Sequence, residues 1–175
     1  HNNGDLTFSD MTNSWGLSTP TFSNGAAYAD FDNDGAMDLV INNINDKALI
    51  YRNTSRDKDT VNTNYMNVKF KGDKQNINGL GATVNIYYNH GKQQFYENNP
   101  YRGYLSTMQY IAHFGLGKIP VVDSMIIKWY NNRQQVIKNV KANQTLEVDI
   151  ADAKEFYSPS QARTDTNALF KEITQ

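Results

Sequence analysis

The sequence predicts an all-β protein, with a small strand–loop–strand unit near its start and a compact antiparallel β-sandwich or barrel after it. Three observations carry this prediction. Apolar and polar residues alternate at period two in several segments, as half-buried strands require. Asn, Asp and Gly turn signals bound those segments. The run Leu39-Val40-Ile41, mostly β-branched, follows directly on an acidic loop that contains a glycine.

In chain order, Ala26, Ala27 and Tyr28 lead into the loop at residues 30–38, and Leu39-Val40-Ile41 leads out of it. Residues 54–63 are polar and read as a linker. Met66, Val68 and Phe70 then alternate with Asn67, Lys69 and Lys71, and Val84, Ile86 and Tyr88 repeat the pattern. Asn89-His90-Gly91 reads as a turn into residues 93–97. Met125, Ile127 and Trp129 share one face, as do Leu146, Val148 and Ile150. Residues 151–167, around Pro159, hold a short helix or a loop. The expected organisation is a first unit at 1–60, a β domain at 61–150, and a linker at 151–175 that opens a further repeat.

The loop reads Asp30-Phe31-Asp32-Asn33-Asp34-Gly35-Ala36-Met37-Asp38. Hard cations such as Ca²⁺ take six to eight oxygen ligands, and closely alternating acids supply them. Asp30, Asp32, Asp34 and Asp38 each offer a carboxylate, Ala36 offers its carbonyl, and Gly35 allows the sharp turn. Without a cation the acids repel one another. A helical calcium hand places a bidentate Glu at the loop's twelfth position, where this chain has Ile41. The expected site is therefore a strand-loop-strand calcium loop. The plainer alternatives are an acidic hairpin turn, or an ion that only holds the loop together.

Residues 24–40, with Asn42-Asn43 and Leu49-Ile50-Tyr51-Arg52-Asn53 after them, resemble an FG-GAP (VCBS-type) repeat, a blade of β-propellers. The resemblance implies Asp30, Asp32, Asp34 and Asp38 as Ca²⁺ ligands, with the Ala36 carbonyl. Asn76-Ile77-Asn78-Gly79-Leu80-Gly81-Ala82-Thr83-Val84, Gly103-Tyr104-Leu105-Ser106, His113-Phe114-Gly115-Leu116-Gly117, Trp129 and Ala142-Asn143-Gln144-Thr145 resemble the ASPIC/UnbV domain. That domain accompanies FG-GAP repeats in cartilage acidic protein and in Bacteroidetes surface proteins. The chain departs from its pattern at Ile77, where Arg is usual, and at Tyr130-Asn131-Asn132, where Pro-Ser-Gly is usual. The resemblance brings no reaction with it.

The chain's 175 residues carry 17 Lys+Arg against 18 Asp+Glu, a balance that gives nucleic acid no electrostatic footing. With no cysteine there are no disulfides, thiol nucleophiles or Cys-ligated zinc. No stretch of about 18 apolar residues exists to span a membrane. The chain starts at His1 with no initiator Met or signal peptide. Residues 8–12 echo at 170–174, as though another blade followed. We therefore expect a piece of a longer protein.

No catalytic constellation emerges. His1 is terminal, His90 lies in a turn and His113 adjoins Phe114; Ser106 lacks a Gly-x-Ser-x-Gly elbow. Glu97 has no facing carboxylate for glycoside chemistry. Tyr96, Tyr101, Arg102 and Tyr104 form an aromatic and polar cluster suited to a sugar or a protein partner, unless these aromatics are simply core and sheet residues. Lys69, Lys71 and Lys74 offer a small basic edge. The expectation is a non-enzymatic, Ca²⁺-stabilised binding or scaffold module of an extracytoplasmic surface protein, secreted, periplasmic or on the outer membrane. Its partners would be a cell-surface glycan or protein and neighbouring repeats of the parent chain. The alternative is an accessory part of a larger carbohydrate-active enzyme.

Overall fold

The computed structural model describes residues 1–104 and 106–158. Residues 159–175, and with them the echo at 170–174, lie outside that description. The fold is all-β and divides into two compact units.

The first unit comprises His1–Thr60 together with Pro100–Gln109. Its sheet is an antiparallel meander of β1 (Ser23–Ala29), β2 (Asp38–Asn43) and β3 (Leu49–Tyr51), in that order. Ala29 pairs with Asp38, so residues 30–37 form the hairpin loop itself. A one-turn helix α1 (Ser55–Lys58) follows β3, inside the stretch the sequence reads as a linker. Residues 100–109, which the sequence places within 61–150, pack with this unit instead. They lie along the free edge of β1, where Ala26 N donates to Ser106 Oγ at 3.3 Å and Tyr28 N to Met108 Sδ at 3.4 Å. Covering an edge strand in this way removes a template for aggregation. Buried apolar side chains are few here: Ala36, Met108 and Pro100 among the described residues.

The second unit, Val61–Asn99 with the chain from Tyr110 onward, is sandwich-like. One sheet has the order β10-β4-β7, from β4 (Asn64–Lys71), β7 (Ile111–Gly117) and β10 (Gln144–Asp149). The other has the order β11-β9-β8-β5-β6, from β5 (Thr83–Tyr88), β6 (Lys92–Glu97), β8 (Val121–Lys128), β9 (Arg133–Lys141) and β11 (Glu155–Phe156). Neither sheet closes into a barrel. One pairing departs from the antiparallel expectation, because β10 runs parallel to β4, Gln144 opposite Met66 through Asp149 opposite Lys71. Period-two alternation is the same for both pairing directions, so the sequence pattern could not distinguish them. Residues 151–158, which the sequence places in a linker, belong with this unit, through the 3₁₀ turn Ile150–Asp152 and the edge strand β11.

Inward-facing Met66, Val68 and Phe70 of β4 meet Val84, Ile86, Met125, Ile127 and Trp129 in one core, all at 4 % exposure or less. Burying each such aliphatic side chain contributes about 1.5–3 kcal/mol. Trp129 stands edge-on to Phe70, centroids 6.0 Å apart. The connection 72–82 is pinned by Asn98, which is fully buried. Its amide donates to the carbonyls of Asn78 at 2.7 Å and Gly79 at 2.9 Å. Gly79 takes φ +63°, and a Cβ there would lie 2.9 Å from Trp129 and 3.0 Å from Phe70.

Gly79→Ala therefore adds both a left-handed backbone cost and a clash with the Trp129–Phe70 pair. The expected loss is about 2–4 kcal/mol of unfolding free energy, read from urea denaturation followed by Trp129 fluorescence. An unchanged midpoint would show that the core yields at this point.

Candidate metal centre

The hairpin loop is built by its own carboxylates. Asn33 and Gly35 take φ of +58° and +90°, which reverses the chain within a few residues. Asp30 accepts from Asp34 N at 3.0 Å and from Gly35 N at 2.9 Å, one on each oxygen. Asp38, only 3 % exposed, accepts from Phe31 N at 3.0 Å and from Asn53 N at 2.7 Å. Asn53 in turn donates its amide to Met37 O at 3.2 Å. The loop thus closes on itself and on the residues that follow β3.

Oxygen atoms of Asp30, Asp32 and Asp38 lie within 4.8 Å of one another. Oxygens around one Ca²⁺ at about 2.3–2.6 Å stand no more than about 5 Å apart, so this triplet fits a hard divalent cation. The donor set is entirely oxygen, which disfavours softer metals. A carboxylate oxygen that accepts one N–H retains a lone pair for a metal. The fourth predicted acid, Asp34, does not join the triplet. Its Oδ1 accepts from Ala36 N at 2.7 Å. Its Oδ2 is shielded from solvent without a hydrogen bond, and Arg52 Nη2 lies 3.6 Å away, an ion-pair separation. Ala36 itself is buried beside Gly35.

The sequence reading missed Arg52 as part of this centre. Its guanidinium reaches Asp32 Oδ2 from Nε at 2.5 Å and Asp57 of α1 from Nη1 at 2.5 Å. Those hydrogen bonds hold both carboxyls below the usual carboxylate range and push the Arg52 pKa further up. The pairs are half exposed, and such surface bridges contribute little to stability. The available signal was the meander itself: Leu39 pairs with Tyr51, which puts the next residue, Arg52, level with Asp38.

The predicted ligand-binding cluster is divided between the units. Tyr96 lies on β6 and packs against the sandwich core, edge-on to Phe114 at 6.3 Å. Tyr101 and Tyr104, 65 % and 77 % exposed, belong with Arg102 to the first unit's segment 100–109. There Tyr101 bridges Thr107 and Arg102 N donates to Ser106 O at 3.0 Å. Ser106, considered as a nucleophile, accepts from Ala26 N. His113 Nδ1 lies 2.8 Å from Asn67 Oδ1 on the sandwich. Two of the three lysines of the basic edge are neutralised: Lys69 by Glu147 at 3.2 Å and Lys71 by Asp149 at 2.7 Å.

Among known families, residues 72–155 match the model described as ASPIC and UnbV. The matched stretch lies in the sandwich, apart from the segment 100–109. No curated protein matches the chain. No helix among the described residues is long and apolar enough to cross a membrane.

Because both oxygens of Asp38 hold backbone amides, Asp38→Ala should open the loop even in EDTA. Amide hydrogen exchange at Phe31 and Asn53 is expected to speed up about 10–100-fold, the equivalent of losing a buried acceptor. Unaltered exchange there would mean that the loop holds its form without the carboxylate.

Proposed function

We propose that this chain is a Ca²⁺-stabilised, non-catalytic binding module of an exported surface protein, with the first unit acting as an FG-GAP-type repeat. The observation that carries the reading is the triplet Asp30, Asp32 and Asp38, gathered by a hairpin loop whose backbone already points amides at all three. In this reading the cation neutralises acids that otherwise repel, and it fixes the hairpin that orders β1 and β2. Asp34 joins as a further ligand once Arg52 withdraws from it, and Ala36 adds its carbonyl. The ion supplies structure and no chemistry.

The surface of the first unit supports a role among neighbours. Leu6, Phe8, Phe22 and Ile50 are each more than 70 % exposed, a pattern that marks interaction surfaces. Repeat units bury such faces against the next repeat. A glycan or protein would be the ligand that the assembled module displays itself to, in an extracytoplasmic setting where Ca²⁺ is abundant.

Extracellular Ca²⁺ modules bind at about 10⁻⁴ to 10⁻³ M. At about 100-fold excess over the dissociation constant, linkage adds about 2.7 kcal/mol to the unfolding free energy. Thermal unfolding should therefore shift upward by about 10 °C between EDTA and excess Ca²⁺. The shift should vanish in Asp30→Asn/Asp32→Asn, which removes the charge and leaves each side chain one acceptor oxygen, at the cost of one of the two amide contacts on Asp30. An equal melting temperature in EDTA and Ca²⁺ for the unmodified chain would reduce the loop to an acidic turn.

A further inference from the structure

A second feature of the first unit lies beside the carboxylate triplet and shares Arg52 with it. A cleft of about 620 Å³ opens between the segment around Trp15, the strands β2 and β3, and α1. Its size falls in the range of small-molecule sites, about 300–1,000 Å³. Trp15 and Tyr51 supply aromatic wall, and Leu17, Met37 and Leu39 supply apolar floor. The chain has two tryptophans; Trp129 is fully buried, whereas Trp15 stays 57 % exposed.

The polar rim has unspent capacity. Thr54 occupies the N-cap position of α1 without a side-chain capping bond. Ser14 donates its hydroxyl to Met11 O at 3.1 Å and keeps lone pairs to accept. Lys58 also lines the cleft, and its charge acts on Asp57 only as a minor influence beside the Arg52 contact. Among the described residues no carboxylate lines the cleft, while two cations, Arg52 and Lys58, do.

We propose that this cleft binds a saccharide bearing an acidic group, with the sugar ring against Trp15 and the carboxylate or sulfate toward Lys58. A ring with apolar C–H faces and an equatorial fringe of hydroxyls matches an aromatic wall beside hydroxyl groups with acceptor capacity left. Arg52 is already engaged by Asp32 and Asp57, so Lys58 is the lining cation that selects an anionic member of that class. An extended peptide fits less well: the neighbouring edge strand β3 has three residues, too short to add a strand with more than a bond or two. The proposal rests on the reading of the chain as a binding module and names that module's ligand class. It moves the ligand contact from Tyr96, Tyr101, Arg102 and Tyr104 to Trp15 and Lys58.

The probes are a galacturonate trimer and its methyl ester, which has the same rings without the charges. Both are titrated into the full chain by calorimetry and by tryptophan fluorescence, in EDTA and again in excess Ca²⁺. The acid should bind saturably, shift the exposed Trp15 emission, and exceed the ester by about ten-fold in affinity, as one charge-assisted contact would give. Lys58→Gln should bring acid and ester together while retaining the fluorescence change. Trp15→Ala should abolish the heat for both, with the amide spectrum of the sandwich unchanged. Absence of binding, or heat that persists in Trp15→Ala, overturns the proposal. The Ca²⁺ dependence of melting reads the loop separately. A Ca²⁺ shift without saccharide binding thus rejects the cleft alone, and saccharide binding without a Ca²⁺ shift rejects the cation reading alone.

Discussion

Four backbone amides, those of Phe31, Asp34, Gly35 and Asn53, converge on the carboxylates of Asp30 and Asp38, and the geometry of the first unit follows from that convergence. It closes the hairpin between β1 and β2, and through Asn53 it fixes the chain where it leaves β3. An amide that donates to a charged acceptor contributes more than a neutral pair, about 1.5–3 kcal/mol. The same arrangement concentrates negative charge, since the triplet Asp30, Asp32 and Asp38 sits within 4.8 Å. The loop is therefore held together by interactions that require the acids to stay ionised, and it is strained by the repulsion that ionisation brings. A positive charge placed among them resolves both demands.

The two units solve the stability problem differently. In the sandwich, sixteen buried apolar residues among those described form one cluster between two sheets, so hydrophobic burial holds this unit together. Ion pairs such as Lys71–Asp149 decorate its outer face. The first unit buries little beyond Ala36, Pro100 and Met108, and relies on side-chain-to-backbone hydrogen bonds within and beside its loop. A unit with so small a core has few other means of fixing its strands, which is why loss of a single carboxylate matters there more than loss of a surface ion pair in the sandwich.

Much of this was legible in the sequence because it follows from local periodicity and local turn chemistry. Met66, Val68 and Phe70 announced β4 by alternation, and all three are buried. Asn89-His90-Gly91 announced its turn, and all three residues take positive φ. What escaped was non-local. Strand direction leaves no mark on alternation, so the parallel β10–β4 pair was invisible. Nothing in residues 100–109 marks them as cover for β1, since Ser106 and Met108 act there through contacts some 80 residues away in the chain. The aromatic cluster divides for a related reason: Tyr96 belongs to the sandwich and packs against its core, whereas Tyr101 belongs to the first unit and stays exposed. Trp15 drew no attention, because a lone aromatic outside any alternating run carries no pattern.

Arg52 shows how the loop and the cleft share one residue. It lines the cleft, yet its guanidinium is committed to Asp32 and Asp57 and stands 3.6 Å from Asp34. In effect the protein carries its own monovalent substitute for part of the charge that a divalent cation would supply. A divalent ion at Asp30, Asp32 and Asp38 competes with Arg52 for Asp32, and by reciprocity anything that draws Arg52 away frees Asp32 for the ion. On the proposed reading, an anion bound in the cleft would be such an agent. The coupling is modest in size, because the Arg52 bridges are half exposed and screened. Its sign would follow from charge: a cation in the loop and an anion in the cleft would favour each other, since each would relieve the demand that the other places on Arg52.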